Sequence, residues 1–439
     1  MKSKKISKLF YLSFILIFWI LIFTLTCKNP SGPGIDFNLR NWYIMSGMAK
    51  GPGFTNNITY GSNIIDPSSS ANSNKLFTDD GKTYYRIPEL LALPNGDLLA
   101  FADKRAVGAG DLPNQIEVYV RKSTNNGTNW GPEKRITPVS TSKKDGHGDT
   151  AAVLDKKTGD IIAVVAFGQG FLNSTPQDPI RIRTIRSRDN GETWEAPIDI
   201  TSQIYGAGCG DFTRRNWHAA FVTAGNGLQM RNGRIMFVLN VRESSQLMVQ
   251  NYVMYSDDGG HKWKVSSGSP KNTRRGGEAK VVELNDGSLL MHIRWTPNRL
   301  QSRSYDNGET WTEATAINGI LSSDSNGDLI VYTSTKNGYD KNRLITLVDS
   351  TVWNGQRDGY PGNPKFYISY DEGYTWTNSK ELYKGDAGYS SLAILKDGSI
   401  GILAELGNSW SGPIYFLKTS IEWCNSNDNP CSPNASAKK

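Results

Sequence analysis

The chain carries arginines, carboxylates and one tyrosine at repeated distances from glycine-containing turns. Arg86 and Asp149 each lie ten residues before a turn glycine, and Glu278 and Tyr389 each lie nine before one. A guanidinium binds a carboxylate through paired hydrogen bonds, so several converging arginines predict a site for an anionic ligand. The candidate set has nine members: Arg86, Arg105, Asp111, Asp149, Glu278, Arg294, Arg343, Tyr389 and Glu405.

Taken singly, these residues have ordinary structural interpretations. A lone arginine is usually half of a surface ion pair, Tyr389 can be an aromatic residue at a strand end, and Glu405 can be a solvated edge residue. Their common phase along the chain argues for a shared site. The elements that carry them therefore decide the question.

One repeated motif, S-x-D-x-G-x-x-W, occurs five times. Its aspartate can accept hydrogen bonds from the backbone of its own turn, its glycine can adopt positive φ, and its tryptophan can pack back onto a sheet. The first copy is degraded, with Asn125 in the aspartate position. The copies start at Ser123, Ser187, Ser256, Ser304 and Ser369.

A second repeat places a glycine turn between two apolar runs, which is a strong signal for a β-hairpin. Six such hairpins predict an all-β fold, a six-bladed β-propeller of antiparallel four-stranded blades. A β-sandwich would not require six hairpins in phase. The sixth hairpin lacks the motif, so we expect the N-terminal segment to supply the closing strand of blade six. The turns are 94–97, 157–160, 231–234, 285–288, 325–328 and 396–399.

The two ends of such a propeller differ in content. The start of a hairpin's first strand and the end of its second lie away from the turn, whereas the motif copies follow the third strand at the opposite end. Asp111 lies in the loop joining strands two and three of blade one, and Arg343 is expected to lead into strand three of blade five. All nine candidates are therefore expected at one rim.

Composition excludes several other functions. The chain has 439 residues with 44 Gly, 12 Trp and 19 Tyr, but only 4 His and 4 Cys, and it lacks zinc and nucleotide-binding motifs. Lys2, Lys4, Lys5 and Lys8 supply four of the net +7 charges. The remaining charge is no signature of nucleic-acid binding.

The basic start and the apolar run up to residue 26 predict export, either to the cell surface or outer membrane as a lipoprotein lipidated at Cys27, or to the periplasm or medium. An uncleaved signal anchor is the alternative, and only this segment would contact a membrane. Cys424 and Cys431 are expected to form a small disulfide, and Cys209 to be a buried apolar residue. Four segments result: export signal 1–27, linker and edge segment 28–75, propeller 76–423 and tail 424–439.

Tyr85-Arg86-Ile87-Pro88, together with the five motif copies, resembles the bacterial, retaining sialidases (exo-α-neuraminidases), whose repeated motif is called the Asp box. The resemblance covers roughly residues 75 to 423. It implies that three arginines bind the carboxylate of sialic acid and that Glu405 braces the first of them. Those arginines are Arg86, Arg294 and Arg343.

The resemblance also implies the catalytic roles. Tyr389 matches the nucleophile, Glu278 the base that activates it, and Asp111 the general acid/base, with Asp103 a nearby alternative. Arg105 and Asp149 match residues around the 4-hydroxyl and the N-acetyl nitrogen of the sugar. Phe171 and Trp217, in long loops, are candidates for the apolar wall of the N-acetyl pocket.

The expected protein is thus a monomeric hydrolase of sialylated glycans that needs no cofactor or metal. Two other functions stay open at this point. A trans-sialidase, or an intramolecular sialidase that forms an anhydro product, would share these residues and differ in how its acceptor site excludes water. A lectin that only binds sialic acid would not need Tyr389, Glu278 and Asp111.

Overall fold

The computed structural model describes residues 75–273, 277–323, 325–349, 363–383, 385–407 and 413–424. The export signal, lipidation site, linker and edge segment predicted within residues 1–74, and the cysteine at 431, lie outside these ranges. In the part of the chain that the structure describes, no helix is both long and apolar enough to cross a bilayer.

The β-strands form six sheets in which the successive strands of each blade pair antiparallel, and these sheets are the blades of the expected propeller. Strand β1 (Lys75–Phe77) comes first in sequence and belongs to the last blade. Blade one contains β2 (Tyr84–Ala92), β3 (Leu98–Arg105), β4 (Ile116–Ser123) and β5 (Lys134–Arg135). Blade two contains β6 (His147–Leu154), β7 (Ile161–Gly168), β8 (Ile180–Ser187) and β9 (Ile198–Asp199).

Blade three departs most from a simple four-stranded sheet. It contains β10 (Ala219–Val222), β12 (Leu228–Gln229), β13 (Ile235–Arg242), β14 (Val249–Ser256) and β15 (Lys264–Val265). The short β11 (Gly225–Asn226) leaves this blade and pairs in parallel with β6 of blade two. Helix α1 (Thr201–Ile204) and a 3₁₀ turn (Arg214–Asn216) lie between β9 and β10.

Blades four to six complete the ring. Blade four contains β16 (Ala279–Glu283), β17 (Leu289–Ile293), β18 (Asn298–Ser304) and β19 (Thr315–Leu321). Blade five contains β20 (Asp328–Thr333), β21 (Arg343–Asp349), β22 (Pro364–Ser369) and β23 (Thr377–Glu381), with a 3₁₀ turn (Thr335–Asn337) after β20. Blade six contains β24 (Ala387–Ile394), β25 (Ile400–Leu406), β26 (Ile414–Thr419) and β1, followed by helix α2 (Ile421–Cys424).

The last blade closes as the missing sixth motif predicted. Strand β1 pairs antiparallel with β26, so residues from the two ends of the propeller sequence share one sheet. Phe77 is buried there and lies 5.2 Å, between ring centroids, from Tyr85 at the start of blade one. The closing strand therefore also joins blade six to blade one.

The register confirms that the blades have two chemically different ends. In blade one Leu98 pairs with Ser123 of the first motif copy, and Arg105 pairs with Ile116 at the other end. We call the end that carries Arg105 the rim end and the opposite end the Asp-box end.

The tryptophans of the first two Asp boxes pack toward the preceding blade. Trp194 of blade two lies 5.7 Å from Phe101 of blade one, and Trp130 of blade one lies 5.1 Å from Phe416 of blade six. The apolar core consists of clusters in which residues of neighbouring blades interdigitate. The blades are thus joined by side-chain packing at the Asp-box end as well as by the ring closure.

Five of the six predicted turns are hairpin turns, and the one at 325–328 is wrong. Residues 325–327 precede β20, and the hairpin of blade five turns at 334–342 instead. Asn326 is buried, and a Cβ on Gly327 would lie 2.6 Å from the backbone oxygen of Leu347. The Asn-Gly pair serves a close approach of buried backbone, not an exposed turn.

Candidate active site

Arg86 is held at the rim end of the innermost strand of blade one. Its Nε donates to Glu405 Oε1 at 3.0 Å and its Nη2 to Oε2 at 3.2 Å. The register of β2 shifts after Arg86, and Ile87 adopts a φ of 59° there. This bulge lets the Ile87 N–H donate to Glu405 Oε1 at 2.8 Å. Glu405 therefore fixes both the side chain of Arg86 and its local backbone.

Glu405 also fixes the tyrosine of blade six. The Tyr389 backbone N–H donates to Glu405 Oε2 at 2.9 Å. Since the same carboxylate holds Arg86, the guanidinium and the phenol keep a defined relation, with the Arg86 Cζ 5.4 Å from the centroid of the Tyr389 ring. The predicted brace of Arg86 thus positions two candidate residues.

Tyr389, Glu278 and Arg294 form a three-way contact between blades six and four. The Tyr389 hydroxyl donates to Glu278 Oε1, and Arg294 Nη1 donates to Glu278 Oε2 and, at 2.8 Å, to Tyr389 Oη. Glu278 is buried. The phenol therefore has a carboxylate acceptor for its proton and two guanidiniums close to its ring.

The electrostatics of this contact favour a neutral phenol beside an ionised carboxylate in the resting protein. Burial and the Glu278 charge raise the pKa of Tyr389 well above its ordinary value, although Arg294 and Arg86 oppose the shift. Burial acts to raise the pKa of Glu278 as well, but Arg294 and the hydrogen bond from Tyr389 outweigh it and lower that pKa. The ionised Glu278 can thus act as a base. It accepts the phenolic proton only when the pKa of Tyr389 falls, as it does when the phenol oxygen forms a bond.

A second cluster lies at the rim of blades one and two. Arg105 is 1% exposed and donates to Asp111 Oδ1 at 2.8 Å and to Asp103 Oδ2 at 3.2 Å. The Asp111 side chain is 75% exposed, whereas that of Asp103 is 1% exposed. Of these two aspartates, Asp111 is therefore the one that can contact a group in solvent without a rearrangement.

Asp103 and Asp149 form the buried side of this cluster. The Asp149 N–H donates to Asp103 Oδ1 at 3.2 Å from a bulge in β6, where Asp149 has a φ of 55°. Burial raises the pKa of Asp103 to about 6 although Arg105 opposes the shift. Burial, together with Asp103 and Asp111, raises the pKa of Asp149 well above its ordinary value.

Arg343 does not lie at the rim, so this placement is corrected. It begins β21 at the Asp-box end, where its neighbour Leu344 pairs with Ser369. Arg343 is fully buried and donates to Asp340 Oδ1 at 2.8 Å and to Thr333 Oγ1 at 3.0 Å. The error follows from the misplaced turn at 325–328, because moving the hairpin turn to 334–342 turns Arg343 from the rim to the opposite end.

The same correction identifies an arginine that the sequence reasoning missed. With β21 and β22 as the second and third strands of blade five, the chain between them joins two rim ends. Arg357 is the single arginine in that stretch of sequence, and it lies outside the described residues. Placing the hairpin turn at 334–342 would have made this stretch of sequence a candidate.

The two aromatic candidates for the N-acetyl pocket lie in the region above blades two and three. Trp217 is buried 4.7 Å from Tyr252, and Phe171 packs 5.2 Å from Phe221, both between ring centroids. Their role in a pocket stays a prediction. Cys209 is buried as expected, and Cys424 is buried in the apolar core of blades five and six. No group of three or more potential metal ligands occurs among the residues that the structure describes.

The fold and the rim define the class: a six-bladed Asp-box propeller with an arginine- and carboxylate-lined site at one end. A family model described as a BNR repeat-like domain matches residues 87–365. The chain is 30% identical to a sialidase of Bacteroides fragilis (strain YCH46) over 352 residues, which cover 74% of this chain and 61% of that protein. It is 28% identical to a sialidase of Micromonospora viridifaciens over 368 residues, which cover 78% and 52%.

The solved structure of Hadza microbial sialidase Hz136 aligns with a TM-score of 0.66 at 27% identity, covering 77% of this chain and 66% of that one. The chain spans 52–61% of the length of the two curated relatives. It belongs to the BNR repeat-like family, and the relatives named here are sialidases.

Proposed function

We propose that the protein is an exo-α-sialidase that hydrolyses terminal, α-ketosidically linked sialic acid with retention, through a covalent tyrosyl intermediate. The observation that carries the proposal is the contact of the Tyr389 hydroxyl with Glu278 between the guanidiniums of Arg294 and Arg86. The substrates are sialylated glycoproteins, glycolipids and oligosaccharides, in keeping with the sialidases among its relatives.

Binding begins with the sugar carboxylate. Arg86, oriented by Glu405, and Arg294 present their guanidiniums beside Tyr389. A planar guanidinium matches a carboxylate through two parallel hydrogen bonds. We assign the third arginine of the site to Arg357 in place of Arg343.

The first chemical step breaks the glycosidic bond. Glu278 takes the phenolic proton as the Tyr389 oxygen attacks the anomeric carbon, and Asp111 donates a proton to the departing oxygen. The anomeric carbon of sialic acid carries its own carboxylate, which would repel an anionic nucleophile. A neutral phenol avoids that repulsion, and its activation is left to the buried base.

The second step returns the enzyme to its starting state. Asp111, now ionised, removes a proton from water, the water oxygen attacks the anomeric carbon, and the bond to Tyr389 breaks. The phenolate regains its proton from Glu278. Two inversions at one carbon give net retention.

Product analysis by NMR on sialyllactose tests the proposal. The α-anomer of free sialic acid should appear first and mutarotate later, and Tyr389→Phe should abolish release in a protein that melts normally. Early β-anomer would refute the nucleophile assignment. A sialylated acceptor or a 2,7-anhydro product would identify the transferase or intramolecular alternative, and binding without turnover would identify a lectin.

We further propose that the enzyme acts outside the cytoplasm as a monomer. The basic and apolar character of residues 1–26 and the position of Cys27 support export and lipid attachment. Cys27→Ser should then release the protein from the membrane fraction without changing its turnover.

A further inference from the structure

A second layer of polar residues lies directly below the candidate catalytic side chains. In β24, Ser391 follows Tyr389 by two positions, across a shift in the register of that strand. Lys280, the second residue of β16, follows by two positions Glu278, which directly precedes the strand. Alternate residues of extended chain share a face, so Glu278 and Lys280 project toward the same side of their sheet. In β2, Glu89 follows Arg86 across the bulge. The innermost strands of three blades therefore repeat one arrangement at two depths.

The layer is joined by hydrogen bonds between blades. Ser391 Oγ donates to Glu89 Oε2 at 3.0 Å, and the Leu90 N–H donates to Ser391 Oγ at 3.0 Å. In blade five, Asp328 Oδ2 accepts the Leu392 N–H at 2.6 Å. The strand that carries Tyr389 is thus tied to blades one and five just below the nucleophile.

Lys280 occupies the centre of this layer without a direct hydrogen bond. Lys280 as a whole is 3% exposed. Neither its Nζ nor Glu89 Oε1 has a hydrogen-bond partner among the described residues. A Cβ on Gly225 would overlap Lys280 Nζ and lie 3.6 Å from Glu89 Oε2. The glycine therefore leaves the room that the ammonium occupies beside the carboxylate.

The charges that act on Lys280 come from residues in or next to four strands. They are Glu89 of β2, Glu278 directly before β16, Asp328 of β20 and Arg299 of β18. Burial is the largest influence and lowers the pKa of Lys280, while the three carboxylates raise it. Burial also raises the pKa of Glu89 to about 8, against the effect of Lys280.

An apolar side chain would fill this position at a lower desolvation cost than an ammonium. The charge therefore calls for a reason beyond packing. Glu278 lies two residues away on the same face, a separation of about 7 Å along a strand. In a water-poor interior, a positive charge at that range stabilises a carboxylate and lowers its pKa.

We propose that Lys280 is a positioning residue of the reaction: its buried ammonium keeps the Glu278 carboxylate ionised below the rim so that it can accept the proton of Tyr389. Lys280 does not touch substrate, and it acts through Glu278. The inference rests on the proposed function, since it assigns a second cation that acts on the proposed base in addition to Arg294, which contacts Glu278 directly.

The test is the pH dependence of kcat/KM on an aryl sialoside. The acid limb of this profile reports the base of the free enzyme. Lys280→Met keeps the side-chain length and removes the charge, so the acid limb should move upward by about one pH unit. KM should change little, because Lys280 lies below the substrate, while kcat falls on the acid side.

Two further variants separate charge from stability. Leu290→Ala removes buried apolar volume without changing a charge, and it should lower Tm while leaving the acid limb in place. The Lys280→Met protein has buried carboxylates without their countercharge and can unfold. The double variant Glu89→Gln/Lys280→Met also lacks the Glu89 carboxylate, so it provides a second protein in which the charge of Lys280 is absent. The upward shift should persist in that double variant.

The outcomes are distinguishable. An acid limb that stays in place in a folded Lys280→Met or double variant, with only Tm lowered, would overturn the inference and make Lys280 structural. A wild-type protein without activity on the aryl sialoside would instead refute the proposed function.

Discussion

At the scale of single residues, Arg105 contacts two aspartates that differ in solvent exposure, and we expect them to have different roles. Asp103 is buried and hydrogen-bonded by the Asp149 backbone, while Asp111 faces solvent. A general acid matters in proportion to how much the leaving group needs a proton. The two carboxylates should therefore respond differently to a change of leaving group.

We predict that Asp111→Ala loses roughly 10²-fold or more of its activity on sialyllactose and far less on an aryl sialoside. A sugar alkoxide must be protonated to depart, whereas nitrophenolate, with a pKa of roughly 7, departs nearly unaided. Rates on both substrates measure the effect, and a burst on the aryl substrate would report the slow second step. Asp103→Ala is the control and should reduce both rates alike; a selective loss at Asp103 would move the acid role there.

The proposal that Arg357 has the role first expected of Arg343 gives a matched pair of variants. Arg357→Lys should weaken transition-state binding by about 2–3 kcal/mol, because one ammonium cannot reproduce a bidentate grip on the sugar carboxylate. Arg343→Lys should lower Tm through its contact with Asp340 and leave kcat/KM near the wild-type value. Comparison of kcat/KM and Tm for the pair decides it, and a large kinetic loss confined to Arg343→Lys would restore the original assignment.

At the scale of an element, the Asp box works even where its aspartate is replaced. In the first copy, Asn125 Oδ1 accepts the Asn129 N–H at 2.8 Å and the Ser123 hydroxyl at 3.0 Å. In the fifth copy, Asp371 Oδ1 accepts the Thr375 N–H and the Ser369 hydroxyl, each at 2.8 Å. An amide oxygen thus serves the same backbone geometry; the fifth copy differs in its charge and in the Thr375 hydroxyl that donates to Asp371 Oδ2.

The difference in charge predicts a pH-dependent stability. Slight burial acts against ionisation of Asp371, but hydrogen bonds from Thr375 and Ser369 prevail and lower its pKa. A depressed pKa stabilises the fold above the ordinary value near 4 and loses that effect as the pH falls through the folded value. Asp371→Asn should therefore cost about 0.5–1 kcal/mol at pH 7, toward the low end because the turn is exposed, and less at pH 2, where more of the carboxylate is protonated. Urea unfolding at both pH values measures this.

The reciprocal change in the first box is the control. Asn125→Asp should stabilise the protein at pH 7 and lose that gain in acid. Equal effects of Asp371→Asn at both pH values would show that the carboxylate charge contributes nothing to the turn.

The hairpins show how far local sequence predicts this fold. Glycine turns between apolar runs, several of them Asn-Gly or Asp-Gly, correctly predicted five hairpin turns, because a tight exposed turn favours those residues. Residues 325–328 have the same local pattern but are buried, with Asp328 accepting backbone N–H groups of Leu329 and Leu392. No local pattern distinguishes a glycine needed for a turn from one needed for close packing, and the error carried Arg343 to the wrong end.

The site residues were predictable where the distance from the hairpin turn alone determines which end of the blade a residue occupies. Tyr389, Glu278, Arg86 and Arg294 sit at equivalent depths of their hairpins and meet at the rim. Lys280 and Glu89 were not recognised, because a charged residue within a strand gives no sign of which neighbours bury it. Their contacts depend on blades far apart in sequence.

At the scale of the whole molecule, the ring is held closed by a three-residue strand. Phe77→Ala should destabilise the protein by about 3–5 kcal/mol, because its ring is buried between blades six and one. The kcat of the folded fraction should be unchanged, since the strand lies outside the rim. Thermal unfolding measures the loss, and Lys75→Ala, a partly exposed neighbour, should have little effect; a small loss at Phe77 would show that closure does not limit stability.

This closure sets an order of events during biosynthesis. The ribosome makes β1 before any blade, but its partner β26 emerges after five blades are complete. Until then the growing ring has an unpaired edge, the kind of surface that joins other chains into aggregates. A nascent chain in the cytoplasm would pass through that state at the pace of translation. A chain that is kept unfolded until all of it has crossed a membrane can close the ring in one event.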